Sequence, residues 1–519
     1  MTNNRDKKPI PEEDLTGQSR FAWNLFISWS SQLVLIFSGF LMPRLVDDKI
    51  GQVALGVWDF GWSFVSYLAL LGFGMGACFN RYIAKSRAAG DFVRLNEIAN
   101  SAVFVQILVS SAVALCTVVF YFLLPHFFGE SLKENTTMAQ WVILFLGFSL
   151  SVGMVAGSAK GLLTGYHRWD IHNALHAVDS LFSLVLMLAM LYFTDFGVAG
   201  MAVGYLISTI VVESTRFVFV GRLCSEFHFN LRMANLSTCK EMLIFSIKSM
   251  LSNLPPILLL QSISLILVSA IGPAALAVFA RPMALTRQIK AFMTKFTLML
   301  TPTTGSMQGT GDIKAIQSLF INMTKLSFAF TLPSLGFLFI YGDVILKYWM
   351  GSDYALWGLM MILALGQLLP MAQDTSIRIL MGLNQHGKIS VIAFIAVFLL
   401  FIISLLFLGI NNWELTTAAL LYVVPMNIVY GLIIPIYTCR HLKLSWLSYV
   451  HNSFINPVLY ILPFLGLLSY SRYAFAQGDN LTALLAFLVA ILTTAFIYFS
   501  YLLPQKAQQH FLCYCRLKS

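Results

Sequence analysis

Fourteen apolar segments of about bilayer length succeed one another along this chain and leave almost no other architecture open. They run over about 21–42, 53–76, 99–124, 141–165, 173–193, 197–220, 242–271, 274–301, 317–341, 355–382, 388–409, 413–439, 448–469 and 480–504. A helix rises about 1.5 Å per residue, so about 20 apolar residues span the hydrocarbon core. Lipid offers no partner to backbone polar groups, so spans of this length must be helices. Of the 519 residues, 58% are hydrophobic and only 11% are charged, more apolar surface than a water-soluble domain has a use for. The fold class is therefore an all-α polytopic membrane protein with about 14 transmembrane helices. The first run, from Phe21, lacks a small-residue cleavage site and reads as a span, not a removed signal peptide.

The basic residues test this count. With the N-terminus inside, inside loops and tails carry 25 of the 33 Lys and Arg residues, and outside loops carry five: Arg44, Lys49, Lys133, Lys347 and Arg472. Lys248, Arg281 and Lys325 remain within spans. That asymmetry follows the positive-inside rule, and a wrong helix count would scramble it beyond the error. Both termini are expected in the cytoplasm of a cell with an inner membrane. The net charge of +10 is thus explained by topology and implies no nucleic acid. The seven cysteines (Cys78, Cys116, Cys224, Cys239, Cys439, Cys513, Cys515) form no framework and are expected as free thiols.

The chain also repeats itself. Ile50-Gly51-Gln52-Val53-Ala54-Leu55-Gly56-Val57-Trp58 aligns with Ile271-Gly272-Pro273-Ala274-Ala275-Leu276-Ala277-Val278-Phe279, five of nine positions being identical at an offset of 221. The same offset carries Gly90-Asp91 onto Gly311-Asp312 and Ser28 onto Ser249. Spans 1–6 and 7–12 then read as two copies of one unit with a shared orientation, and a site is expected where such parallel repeats meet. The expected organisation is a cytoplasmic tail (1–20), an N-lobe (21–228), a C-lobe (229–445), two further spans (446–504) and a second tail (505–519).

The eighth span carries the strongest functional signal. Arg281, Gln288 and Lys295 fall at i, i+7 and i+14, one stripe of a helix, inside an apolar run. Charge there is costly and marks a function by default, and a cationic ladder suits an anionic passenger. Lys290 and Lys295 have the alternative of snorkelling to the cytoplasmic end, which does not easily reach Arg281. Lys248 in span 7 joins the cleft or snorkels. Pro255-Pro256 is expected to break that span. Asn24 and Ser28 on span 1 occupy the positions equivalent to span 7 and should face the same cleft. Asp59 is either a cation site or a hydrogen-bonded structural carboxylate, and Asp374 either neutralises Arg378 at i+4 or binds a coupling ion. His172, His176 and Asp179 share one face of span 5, as a weak metal motif or as a polar contact at the cytoplasmic end. Glu213 and Arg216 form an i, i+3 pair, Lys160 is placed to snorkel, and Gly153, Gly157, Gly161 and Gly165 flatten one face of span 4 for close packing.

A resemblance becomes specific along Ser66-Tyr67-Leu68-Ala69-Leu70-Leu71-Gly72-Phe73-Gly74-Met75-Gly76, Arg81-Tyr82-Ile83-Ala84, Gly90-Asp91 and Leu95-Asn96. With Leu162-Leu163-Thr164-Gly165, Ile379-Leu380-Met381-Gly382, and Pro302 ahead of Gly311-Asp312, the chain resembles bacterial polysaccharide-export flippases of the O-antigen or repeat-unit type. These are part of the multidrug/oligosaccharidyl-lipid/polysaccharide exporter superfamily. The resemblance implies two six-helix lobes around a cleft of helices 1, 2, 7 and 8, with two extra helices. It implies translocation of a polyprenyl-diphosphate-linked oligosaccharide among membrane lipids, without a cofactor, by a monomer that works beside polysaccharide polymerase or chain-length proteins. It places the cleft cations on Arg281, then Lys248 and Lys295. The N-terminal pattern of lipid II flippases is not seen.

Two other classes compete. A cation-coupled multidrug antiporter of the same superfamily would favour an acidic cleft, against the Arg and Lys excess of span 8. A membrane-embedded polymerase or transferase would need a sizeable extramembrane loop with catalytic groups, and the longest outside connection is about 125–140. No G-x-x-x-x-G-K-[ST] loop is present for an ATP-driven pump.

Overall fold

The computed structural model describes residues 21–72, 79, 82–84, 86–87, 89–251, 254–298, 300–309, 312–408 and 413–501. Both predicted tails, the part of the resemblance at 73–78, Arg81, Lys85 and Gly311 lie outside them, as do the side chains of Asn24, Lys248 and Lys295. The described residues are helical throughout their length apart from short turns, with no strand among them. Among the described residues nine helical runs are long and apolar enough to cross a membrane, and the described parts of the fourteen predicted segments are largely helical.

The described chain divides into two compact units, one running to Met250 and including Gly272–Ala274, the other made of Leu251–Ile271 and the chain from Ala275 on. The first holds α1 (Phe21–Ala69), α2 (Phe92–Leu132), α3 (Thr136–Val155), α4 (Gly157–Gly165), α5 (Trp169–Phe193), α6 (Gly197–Leu223) and α7 (Leu236–Met250). There α2 packs on α3, α3 on α6, α5 on α6, and α1 on α3 and α5. A core of Ile83, Leu95, Ile98, Leu162, Leu163, Val220 and Met242 closes one end. Two buried asparagines tie the 226–230 segment to α2. Asn96 accepts from the His228 amide at 2.7 Å and donates to the Glu226 carbonyl at 2.7 Å, while Asn100 does the same with the Asn230 amide and the His228 carbonyl at 2.8 and 3.0 Å. Each carboxamide thus replaces the partner a backbone segment would find in a sheet.

The second unit holds α8 (Leu254–Ala270), most of α9 (Pro273–Thr297), α10 (Leu300–Gly309), α11 (Ile313–Met350), α12 (Trp357–Ala372), α13 (Asp374–Gly382), α14 (His386–Leu408), α15 (Leu415–Met426), α16 (Ile434–His441), α17 (Trp446–Val450), α18 (Asn456–Ala476) and α19 (Asn480–Tyr501). Single π-helical stretches, Asn427–Ile433 and His451–Ile455, link α15 to α16 and α17 to α18. Here α11 packs on α12 and α18, α18 on α19, α12 on α15, and α8 on α14 and α15. Tyr449, fully buried, stacks on Phe320 with centroids 4.6 Å apart.

The sequence repeat reappears as matched local geometry. Asp91 and Asp312 cap α2 and α11 with near-identical dihedrals (−88°, 78° and −83°, 80°), each carboxylate accepting from the amide three residues on. Gly51 and Gly272 both hold positive φ, 85° and 120°, where a side chain would strain the turn. Spans 4 and 10 are each split, at Ala156 and at Gln373, and each ends in a non-glycine residue of positive φ, His167 at 57° and Asn384 at 56°.

The break expected in span 7 at Pro255-Pro256 is present among the described residues: one helix, α7, ends at Met250 and another, α8, carries both prolines. The glycine stripe of span 4 is used in part. A Cβ on Gly161 would lie 1.8 Å from the Phe79 ring and one on Gly157 would lie 3.1 Å from the Gln106 amide, but Gly153 has nothing within 4 Å.

Candidate functional site

The stripe of span 8 lies on α9, which runs unbroken through Pro282. Arg281 is 4% exposed and its Nε donates to the Ala277 carbonyl at 3.3 Å, folding the side chain back along its own helix. Pro282 lies inside this continuous helix and is itself buried beside Arg281. Gln288 and Lys290 are half-buried and Arg287 is exposed. A guanidinium keeps its charge when buried, so α9 carries a positive group at this position.

Asp374 opens α13 just beyond the split of span 10. Its Oδ2 pairs with Arg378 Nε at 3.2 Å and accepts a short hydrogen bond from Thr297 Oγ1, near the end of α9. Thr301 Oγ1 donates to the Arg378 carbonyl at 3.3 Å. The i, i+4 pairing thus forms, and Thr297 joins it. Close by, Tyr449 OH is hydrogen-bonded to Gln373 Oε1 at 2.5 Å and to Thr324 Oγ1 at 3.2 Å, and Thr324 meets Thr375 at 2.7 Å. A continuous polar chain therefore passes through the split of span 10.

In the first unit, residues noted separately in the sequence come together. Glu213 of α6 accepts from Arg216 Nε at 2.7 Å and from Lys160 Nζ of α4 at 2.8 Å. Arg216 is 1% exposed and its other edge lies 3.3 Å from His172 Nδ1 of α5. An arginine can only donate, so His172 Nδ1 is the acceptor and its ring proton sits on Nε2. The guanidinium takes the lone pair that a metal would need at this nitrogen, against the metal reading of the span 5 motif. Asp179, two turns along α5, accepts from Ser208 Oγ of α6 at 3.0 Å. Lys160 does not simply snorkel, as its ammonium is held by Glu213.

Ser28 Oγ accepts from Asn173 Nδ2 at 2.6 Å, and Ser31 Oγ donates to the Asn173 carbonyl at 2.7 Å. Asn173 thereby fastens α1 to α5. Sequence reading passed over it because it lies about 100° off the His172–His176 stripe. Asp59 is half-buried on α1. Trp62, one turn on from Trp58, meets Tyr205 edge-to-face at 5.3 Å.

Comparison with known proteins bears on this arrangement. Residues 28–186 match the MatE family model. No curated protein matches the chain. Among solved structures, an inward-facing multidrug resistance MATE family transporter of the MOP superfamily aligns at a TM-score of 0.69 and 16% identity, over 81% of this chain and 97% of its own. The lipid II flippase MurJ, in an inward closed conformation, aligns at 0.68 and 14% identity, over 92% and 99%. A MOP superfamily transporter from Pyrococcus furiosus Vc1, described by the reverse polarity of its binding pocket, aligns at 0.62 and 16% identity, over 83% and 96%. The chain has the all-helical, multi-pass fold that these transporters share.

Proposed function

We propose that this chain is a flippase that moves a polyprenyl-diphosphate-linked oligosaccharide across the inner membrane, for cell-surface polysaccharides such as the O-antigen of lipopolysaccharide. The observation that carries the reading is Arg281, 4% exposed on α9, two turns ahead of the half-buried Gln288. A guanidinium grips phosphate through two parallel hydrogen bonds, and a bound diphosphate offsets the cost of keeping that charge in the membrane. The fold shared with a lipid II flippase supports the reading. Lys248 and Lys295 extend the positive path, and Asn24 and Ser28 are polar contacts for the sugars. Movement is by alternating access without ATP hydrolysis, coupled to an ion or the membrane potential through Asp59 or Asp374. In this reading the lobes are 21–228 and 229–445, spans 13–14 (446–504) stand beside them, and both termini are cytoplasmic. The protein works as a monomer, with polysaccharide polymerase or chain-length proteins as partners.

A cation-coupled multidrug antiporter is the second reading. The carboxylates in the apolar helices of the first unit, Asp59, Asp179 and Glu213, favour it, as does the MatE match at 28–186. The deciding experiment reconstitutes the protein in vesicles and follows a fluorescent prenyl-diphosphate oligosaccharide beside a cationic drug, for wild type and Arg281→Gln. Lipid flipping that is lost in Arg281→Gln is the expected result. Drug movement without lipid flipping reverses the order of the two readings.

A further inference from the structure

On α2, Ser101, Leu108, Leu115 and Phe122 follow one another at seven-residue steps and form one stripe of the helix. Leu108, Leu115 and Phe122 are 55%, 65% and 72% exposed, and an apolar stripe left open on a membrane span is turned to lipid. Ser101, on the same stripe, is fully buried because the chain between α6 and α7 lies over it. Its Oγ accepts from the Asn235 amide at 2.9 Å, and Cys239 Sγ donates to its carbonyl at 3.7 Å. One turn nearer the start of α2, Glu97 accepts from Thr238 Oγ1 at 2.7 Å. The beginning of α7 therefore projects from the lipid side of the first unit, about 10 Å along the axis from Leu108.

The projection is held in place. Asn96 and Asn100 fasten segment 226–230, and the side chains of Asn230 and Asn235 accept from the Arg232 and Ser237 amides. Cys239 and Met242 pack in the core with Ile83 and Leu95. The opposite face of α7 is open: Leu236, Lys240, Ile244 and Ile247, at i, i+4, i+8 and i+11, are all exposed, Leu236 at 83%. Phe229 and Leu231, in the segment before it, are exposed as well. A fixed segment with this much apolar side chain in the open marks an interaction surface. Its free charge is of one sign. Glu226 is bonded by Tyr166, Glu97 by Arg94, and Glu241 by Tyr82 and Arg94. Arg222, Arg232 and Lys240 are exposed and make no ion pair among the described residues.

We propose that the segment from Arg222 to Ile247 is an interfacial ledge that binds anionic phospholipid. Its open apolar side chains lie at the boundary of headgroups and acyl chains, and Arg222, Arg232 and Lys240 meet the lipid phosphates. An amphipathic helix with cations beside its apolar stripe lies in that plane of the bilayer. Each cation near an anionic surface strengthens such attachment about fivefold. The occupant is lipid and not a soluble protein, because the ledge stands on the stripe that α2 turns to the bilayer. Attachment of this kind requires no transport and stands apart from the proposed function.

The test is titration of the full-length protein in detergent with phosphatidylglycerol and phosphatidylcholine of identical chains, with retained lipid read by native mass spectrometry. Wild type should prefer phosphatidylglycerol by about tenfold or more, and Arg232→Gln with Lys240→Gln should remove most of that preference. Lys388→Gln with Lys443→Gln takes the same charge from exposed sites of the second unit and should leave the preference intact. Leu236→Ser with Ile244→Ser should lower retention of both lipids, which a contact through charge alone would not do. Every substituted side chain is exposed, so size-exclusion elution should stay that of wild type. Equal retention of the two lipids by wild type overturns the proposal. An equal loss in the two charge variants also overturns it, since net charge then accounts for the effect. A preference that survives Arg232→Gln with Lys240→Gln while that variant loses export in cells overturns it as well and gives the face to a protein partner.

Discussion

Replacing Glu213 alone should destabilise the first unit far more than replacing Glu213 and Arg216 together. Glu213 is bonded by Lys160 at 2.8 Å and by Arg216 at 2.7 Å, and Arg216 is 1% exposed. Glu213→Leu leaves that guanidinium charged, since it does not deprotonate, with the His172 nitrogen at 3.3 Å as its remaining bonded neighbour in this cluster. Breaking a buried pair from one side costs about 3–5 kcal/mol. Lys160, 33% exposed, turns toward solvent at little cost, about 0–1 kcal/mol for a pair of that kind. At about 2–4 °C per kcal/mol for a unit of this size, Glu213→Leu should lower the unfolding midpoint by about 6–20 °C. Glu213→Leu with Arg216→Met removes both charges and keeps apolar volume, a change that is commonly neutral or stabilising. The double variant should therefore return to within a few degrees of wild type. The assay is thermal unfolding of the full-length protein in one detergent, followed by intrinsic fluorescence, with the four proteins of the double-mutant cycle side by side. A double variant as unstable as Glu213→Leu would mean that the two residues do not act as a pair, and the reasoning would fail.

Arg281→Gln should abolish polysaccharide export in a strain lacking the endogenous protein, while Arg281→Lys, which keeps charge but loses the fork, should retain part; wild-type export by the glutamine variant at matched expression would sink the assignment. Asp374→Asn should lower thermal stability because it leaves Arg378, 11% exposed, without its carboxylate, whereas Asp59→Asn at a half-buried site should change ion dependence of transport more than stability. Unchanged transport and ion dependence in both single variants and their combination would remove both from coupling. Glu226 is pushed up by burial, but hydrogen bonds from Tyr166, its own backbone and Ser225, with the charge of Arg87, outweigh this and hold its carboxyl below the ordinary value. Such a group stabilises the fold above its unfolded value and loses that contribution as pH falls through its folded value. Tyr166→Phe, which removes the 2.8 Å donor, should lower stability at neutral pH and shrink the part of it that is lost on acidification, and superimposable pH profiles of unfolding for variant and wild type would contradict it.

The fold was legible because the bilayer imposes it residue by residue. A run of apolar residues declares a span wherever it occurs, and a turn that demands glycine or an aspartate cap keeps that residue in both copies of a repeat. Hence Gly51 matches Gly272 and Asp91 matches Asp312, in sequence and in dihedral angle alike. The break at Pro255-Pro256 was legible too: α7 ends at Met250 and a second helix, α8, carries both prolines.

The polar groups divide along the same line. Asp374 and Arg378 are four residues apart on one helix, so the spacing itself predicts their ion pair, and it forms. Lys160 and Glu213 are on different helices, and nothing in either periodicity says that they meet. A lysine near the end of a span is equally consistent with an ammonium that reaches for water and with one held by a carboxylate across a helix interface. The choice is made by how α4 and α6 pack, through Glu213, whose second oxygen is already bonded to Arg216. A lone carboxylate beside one lysine would be a replaceable contact. One that also holds a buried arginine of its own helix is not replaceable, because removing it strands the Arg216 charge. That is why the network, rather than any of its members, is the feature of the first unit most exposed to test.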